Sequence, residues 1–269
     1  MKTNKYRLLV LSDSKISEGN TLKSTISLAK MIDGQIMLFS IKDPSKVVKE
    51  TNQLSAMREI NHQFTSTNNN LKRLAKSASE QFGVNINSTF IIGRLKDEIS
   101  QFLKEYQPDV VVLGKKKRNI LNFSSDSITD LILNTFSGPI LVTDNDKTIK
   151  SDKSLALGVL NSIGQDAKEN IFNDLLPYTN KPIKLFKIID SKSKDDKSAQ
   201  QRTKNTIEFV FEQNDSSLQN LSKYIDRNGI NLLYLNRRNF QNKKRRFLST
   251  YVNKLNVPML LSSEHAVKY

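Results

Sequence analysis

Short, nearly uninterrupted apolar runs alternate along this chain with stretches whose apolar residues return every three or four positions. The first pattern marks strands buried on both faces, and the second marks helices that cover a sheet. RLLVLS (7–12) reads as the first strand, and Leu22, Ile26 and Ala29 stripe a helix that stops at Asp33-Gly34. QIMLFSI (35–41) is the second strand. A long polar helix is expected from Ser45 to Phe82, carrying Leu71, Leu74, Ala75, Ala78 and Phe82, with a break expected near Asn68-Asn69-Asn70 and a stop at Gly83. INSTFII is the third strand, and Leu95, Ile99, Phe102, Leu103 and Tyr106 stripe the next helix. The run Val110 to Leu113 is the fourth strand, Ile128, Leu131, Ile132 and Phe136 stripe a helix, and Pro139 announces the fifth strand. Strand and helix alternate throughout, which predicts a doubly wound α/β domain with right-handed crossovers.

The pattern then restarts. DNDKTIKSDK (144–153) is charged and reads as a linker. SLALGVL, IKLFKII, TIEFVFE, INLLYLN and NVPMLLSS supply five further strands. Helical stripes fall at Ala167, Ile171 and Leu175, at Leu218, Leu221 and Ile225, and at Leu248, Tyr251, Val252 and Leu255. Residues 190–204 are expected to replace the long polar helix with a shorter, flexible segment. DVVVLGKKKRN aligns with INLLYLNRRNF, and GPILVT with VPMLLS, so the chain is an internal repeat. The expected domains are 1–148 and 149–269, the second shorter and more altered.

Composition narrows the chemistry. The chain has 269 residues, no cysteine and two histidines, His62 and His265, which disfavours thiolate or histidine metal centres and thiol nucleophiles. No apolar run is long enough to span a bilayer, and the first residues lack a signal-peptide pattern, so the expected location is cytoplasmic. The formal charge of +15 is spread over both halves. Two readings stay open for it: attraction to nucleic acid or another polyanion, or a lysine-rich composition without a specific role. The densest cluster, Lys243-Lys244-Arg245-Arg246, precedes a helix start, where positive charge opposes the helix dipole.

The candidate site lies in DVVVLGKKKRNILNFSSDSITDLILNTFSGPILVT (109–143). A strand, a loop opening at Gly114 and a helix make the arrangement in which α/β proteins hold phosphates beyond a strand's carboxyl end. The stretch resembles the carboxyl-terminal signature of the universal stress protein family, keeping Gly114, Ser127, Thr129 and the strand PILVT. It departs from that signature at Lys117 and Asp126, where the family has glycine, and its loop is one residue shorter.

The resemblance implies two tandem doubly wound parallel-sheet domains of strand order 3-2-1-4-5. It further implies adenosine contacts at Asp13 and Ile41, and intramolecular pairing of the two domains in place of the usual dimer. A further homodimer or a partner protein is also expected. Phosphate cradles use glycine because a side chain blocks the approach of backbone N–H to oxygen. Asp126 beside a polyphosphate is repulsive but favourable as a helix cap, and Lys115, Lys116, Lys117 and Arg118 are either a solvated loop or an anion-seeking mouth. In the second half Asn236, Arg237 and Arg238 replace Gly114 and its neighbours, and no glycine precedes the last helix.

No catalytic constellation is visible at suitable spacing. The expected function is therefore non-catalytic binding or interaction in a stress response, with Asp13, Ile41, Gly114, Lys117, Ser127 and Thr129 as a weak or vestigial nucleotide site and no obligatory cofactor. The alternatives are an ATP-binding switch in the first half and a basic protein that binds nucleic acid.

Overall fold

A computed structural model describes residues 4–12, 19–47, 52–115, 128–150, 154–161, 170–180, 182–189, 205–214, 216–237 and 246–263. The chain divides into two compact units, Met1–Phe136 and Ser137–Tyr269.

The first unit contains β1 (Tyr6–Ser12), α1 (Asn20–Ile32), β2 (Gly34–Lys42), α2 (Gln53–Phe82), β3 (Ile86–Ile92), α3 (Leu95–Tyr106), β4 (Val110–Gly114) and α4 (Ile128–Thr135). Its strands run parallel in the order β3-β2-β1-β4. Leu8, Leu9, Leu38, Phe39, Val110, Val111 and Val112 are wholly buried, as strands covered on both faces require. Arg7 ties β1 to the approach of β4. Its backbone N–H donates to the Asp109 carboxylate at 2.7 Å and its guanidinium donates to the Tyr106 carbonyl at 2.9 Å. Burial raises the Tyr106 phenol above its ordinary pKa, against the opposing pull of Arg7.

The helix α2 differs from the sequence expectation at both points in question. It begins at Gln53, where the Asn52 side chain accepts the Leu54 N–H at 3.0 Å, and it runs unbroken through Asn68 to Asn70. Ser45 lies instead in a single 3-10 turn, Pro44–Lys46, capped by Asp43. Two local caps thus fix starts that periodicity alone could not separate.

The second unit contains β5 (Ile140–Thr143), β6 (Leu157–Leu160), α5 (Asn170–Leu175), β7 (Ile183–Ile189), β8 (Thr206–Glu212), α6 (Ser217–Arg227), β9 (Leu232–Leu235), α7 (Arg246–Lys254) and β10 (Met259–Leu261). The strands of its repeat follow the order β8-β7-β6-β9-β10, the counterpart of 3-2-1-4-5, and all are parallel. The strand β5 pairs antiparallel with β10, Val142 opposite Met259 and Ile140 opposite Leu261.

Residues 144–150 are not a loose linker. Asp144 and Ile149 are buried, and the Asp144 carboxylate accepts the N–H groups of Asp146 and Lys147 at 2.9 and 3.0 Å. Lys147 forms an ion pair with Asp226. The charges that suggested a tether are used to cap a turn and dock it. Ala167 and the segment 190–204 lie outside the described residues.

Candidate functional site

Strand register places the site. Ser12 of β1 pairs with Ser40 of β2, and Leu11 pairs with Leu113 of β4. Gly114 and Ser12 therefore stand side by side at the carboxyl edge of the first sheet, with Ile41 one residue beyond Ser40, where a doubly wound fold opens its crevice. Thr129, half-buried, lies in the first turn of α4. Asp13, Lys117 and Ser127 lie outside the described residues, as do Asp126, Lys116 and Arg118.

Two of the placed residues have structural explanations. Ile41 is 3% exposed and is a core residue of β2. At Gly114 an added Cβ would stand 2.9 Å from Oγ1 of Thr21 in α1. The bare backbone there lets the first turn of α1 close onto the end of β4. Gly114→Ala is expected to cost about 1–2 kcal/mol through overpacking. Urea unfolding of Gly114→Ala, Thr21→Ala and the double variant checks this. Most of the loss should return in the double variant, since the two sites couple through one contact.

Beside this edge is a cavity of about 390 Å³, walled by Arg94, Leu95, Lys96 and Asp97 at the start of α3, by Asp43 after β2, and by Ile128 and Leu131 of α4. Among the described residues its charged walls are two cations, Arg94 and Lys96, and two carboxylates, Asp43 and Asp97. The Asp43 carboxylate accepts both the Ser45 N–H at 2.9 Å and the Ser45 hydroxyl at 2.6 Å.

The corresponding edge of the second repeat is filled by its own side chains. Leu232 pairs with Leu157 as Val110 pairs with Leu8, so Asn236 stands where Gly114 does and Asn161 stands where Ser12 does. Asn236 and Arg237 are 7% and 3% exposed. The Ser262 hydroxyl lies 3.3 Å from the Asn236 side-chain oxygen and accepts the Arg237 backbone N–H at 3.1 Å. The Arg237 guanidinium donates to the Gly138 carbonyl at 3.1 Å. Asn161 adopts a left-handed backbone, φ 67°, and its side-chain oxygen accepts the Ile188 N–H at 3.1 Å. Asn161 and Ser262 carry no motif in the sequence. The one available signal is that asparagine tolerates the left-handed region better than most residues.

Lys243, Lys244 and Arg245 lie outside the described residues, and Arg246 opens α7. Among the described residues no group of three or more His, Cys, Asp or Glu side chains is placed to hold a metal, and no helix is long and apolar enough to cross a membrane.

The universal stress protein family model matches residues 6–144, more than half of the chain. The chain belongs to the universal stress protein family. Its fold is that of two tandem universal stress domains, each with strand order 3-2-1-4-5. A universal stress protein from Archaeoglobus fulgidus DSM 4304 is similar over 98% of both chains, with a TM-score of 0.70 at 12% identity. A putative universal stress protein from Pseudomonas aeruginosa UCBPP-PA14 covers 96% of this chain and 94% of its own, with a TM-score of 0.60 at 11% identity. A functionally unknown protein from Pseudomonas aeruginosa PAO1 covers 96% and 93%, with a TM-score of 0.59 at 10% identity. No curated protein matches the chain.

Proposed function

We propose that this tandem universal stress protein acts by binding and interaction, without turnover, with its second nucleotide site lost and its first weakened. The repeats 1–148 and 149–269 are then the units of descent, a reading supported by the family model's end at residue 144. The observation that carries the proposal is the second repeat's edge, where Asn236, Arg237 and Ser262 fill the place of a bare-backbone cradle with buried, hydrogen-bonded side chains. A nucleotide phosphate there would have to displace a buried arginine and break its bonds.

In the first repeat Gly114 is accounted for by Thr21, and the described walls of the adjoining cavity carry two cations and two carboxylates. Asp13, Ile41, Gly114, Lys117, Ser127 and Thr129 are the residues through which any residual nucleotide binding acts. Calorimetric titration with ATP and magnesium is expected to give no binding in the micromolar range. Micromolar binding abolished by Asp13→Ala would instead establish an ATP switch in the first repeat.

A further inference from the structure

An exposed strand edge is a template on which another chain can pair, and proteins guard such edges with charge, proline or a bulge. β3 is the outermost strand of the first repeat, and among the described residues no strand pairs with its outer side. It carries none of the guards. Residues 83–93, GVNINSTFIIG, hold no charged residue and no proline. Register with β2 runs without interruption from Ile86 to Ile92, so there is no bulge. By contrast β8, outermost in the second repeat, carries Glu208 and Glu212.

The printed bonds fix which groups of β3 face outward. The Ile36 N–H of β2 donates to the Asn85 carbonyl at 2.8 Å, and the Gly93 N–H donates to the Lys42 carbonyl at 3.1 Å. Bonding to one parallel neighbour uses alternate residues, so the odd-numbered residues from 85 to 93 serve β2. The N–H and C=O groups of Ile86, Ser88, Phe90 and Ile92 therefore point away from the sheet.

The helices leave room beside this edge. α2 touches both outer strands of its face, since the Lys42 ammonium donates to the Gln63 side-chain oxygen at 3.0 Å and Phe64 meets Phe90 at 5.8 Å. It thus lies over the β2–β3 pair, and a copy related across the edge would stand about 10 Å away, a normal helix spacing. On the other face α3 stacks Phe102 on Phe39 of β2 and bonds Arg7 of β1 through the Tyr106 carbonyl. Asn87 is exposed there, and Thr89 and Ile91 are half-buried.

We propose that two copies of this chain join edge to edge through β3, antiparallel about a two-fold axis at Thr89. Ile86 then faces the partner's Ile92, Ser88 faces the partner's Phe90, and Thr89 faces its own copy. This centred register engages every outward N–H and C=O group of both strands, whereas a shift of two residues strands some at each end. A strand that meets its own copy sets any charge near the axis against itself, which is costly. The uncharged run from 83 to 93 avoids that cost, and it suits a second copy better than a charged partner. The arrangement is isologous and closes at two chains.

Sedimentation velocity on the full chain across roughly 1–200 µM should show a concentration-dependent dimer. Thr89→Lys and Thr89→Glu should each weaken it by about tenfold, because each places like charges across the axis. Mixing these two variants should restore association, since lysine then faces glutamate. Rescue at a single position is the signature of a residue that meets its own copy. Ser88→Pro keeps the bonds to β2 but removes an outward N–H, and should weaken the dimer by at least about tenfold. Circular dichroism checks that each variant is folded. A monomer at the highest concentration would overturn the proposal and leave the edge to a partner of other chemistry. So would a dimer indifferent to all three substitutions, or a mixture that fails to re-associate.

Discussion

Phe39→Ala is expected to lower the stability of the first unit by about 3–5 kcal/mol, the range for removing a buried aromatic ring. Phe39 is wholly buried at the centre of β2, and its ring stacks on Phe102 at 4.0 Å with an interplanar angle of 11°. Phe102 in turn stacks on Tyr106 at 5.5 Å. Truncation therefore removes the ring's transfer free energy and the partner on which Phe102 of α3 stacks. Urea unfolding followed by circular dichroism measures the effect. Lys76→Ala is the control, since the Lys76–Glu80 pair spans 4.0 Å between exposed side chains and contributes less than about 0.5 kcal/mol. Where the two units unfold in separate steps, only one step should move. A loss from Phe39→Ala no larger than the control's would mean that the helix α3 does not depend on this stack.

The second large effect is expected at Arg237. Its side chain is buried, its guanidinium donates to the Gly138 carbonyl, and its backbone N–H donates to the Ser262 hydroxyl. Arg237→Ala should cost about 2–3 kcal/mol, from a half-buried carbonyl deprived of its donor and from lost packing of the buried side-chain stem. Arg237→Met separates these contributions by keeping the stem and removing the donor. Recovery of about half the loss or less is expected, because the unsatisfied carbonyl remains. Thermal unfolding of both variants is the measurement. If Arg237→Ala were as stable as the parent chain, the side chain would not be a strut, and the filled edge would lose its meaning.

Much of the architecture was legible in the residues. The runs from Leu8 to Leu11 and from Val110 to Leu113 are buried strands, and the stripe Leu71, Ala75 and Ala78 is the buried side of α2, as their spacing requires. Strand order came from resemblance, because periodicity states which face is buried and not which neighbour buries it. Local chemistry misled at residues 144–150. A charged stretch reads as a tether until its partners are known, and Asp226, the partner of Lys147, lies far along the chain. Gly114 invited a ligand-based explanation, yet the atom that leaves no room for a side chain belongs to Thr21. Asn161 and Ser262 could not be singled out, since both act through contacts with other strands that no local pattern encodes.

The antiparallel seam between β5 and β10 bears on how the protein is made. Ile140 leaves the ribosome long before Leu261, its partner. Until the final strand emerges, β5 carries an apolar segment whose hydrogen-bonding edge is incomplete, the kind of surface that captures other nascent chains. Stalling or truncation of translation shortly before residue 259 should therefore be more aggregation-prone than arrest just after the seam has closed.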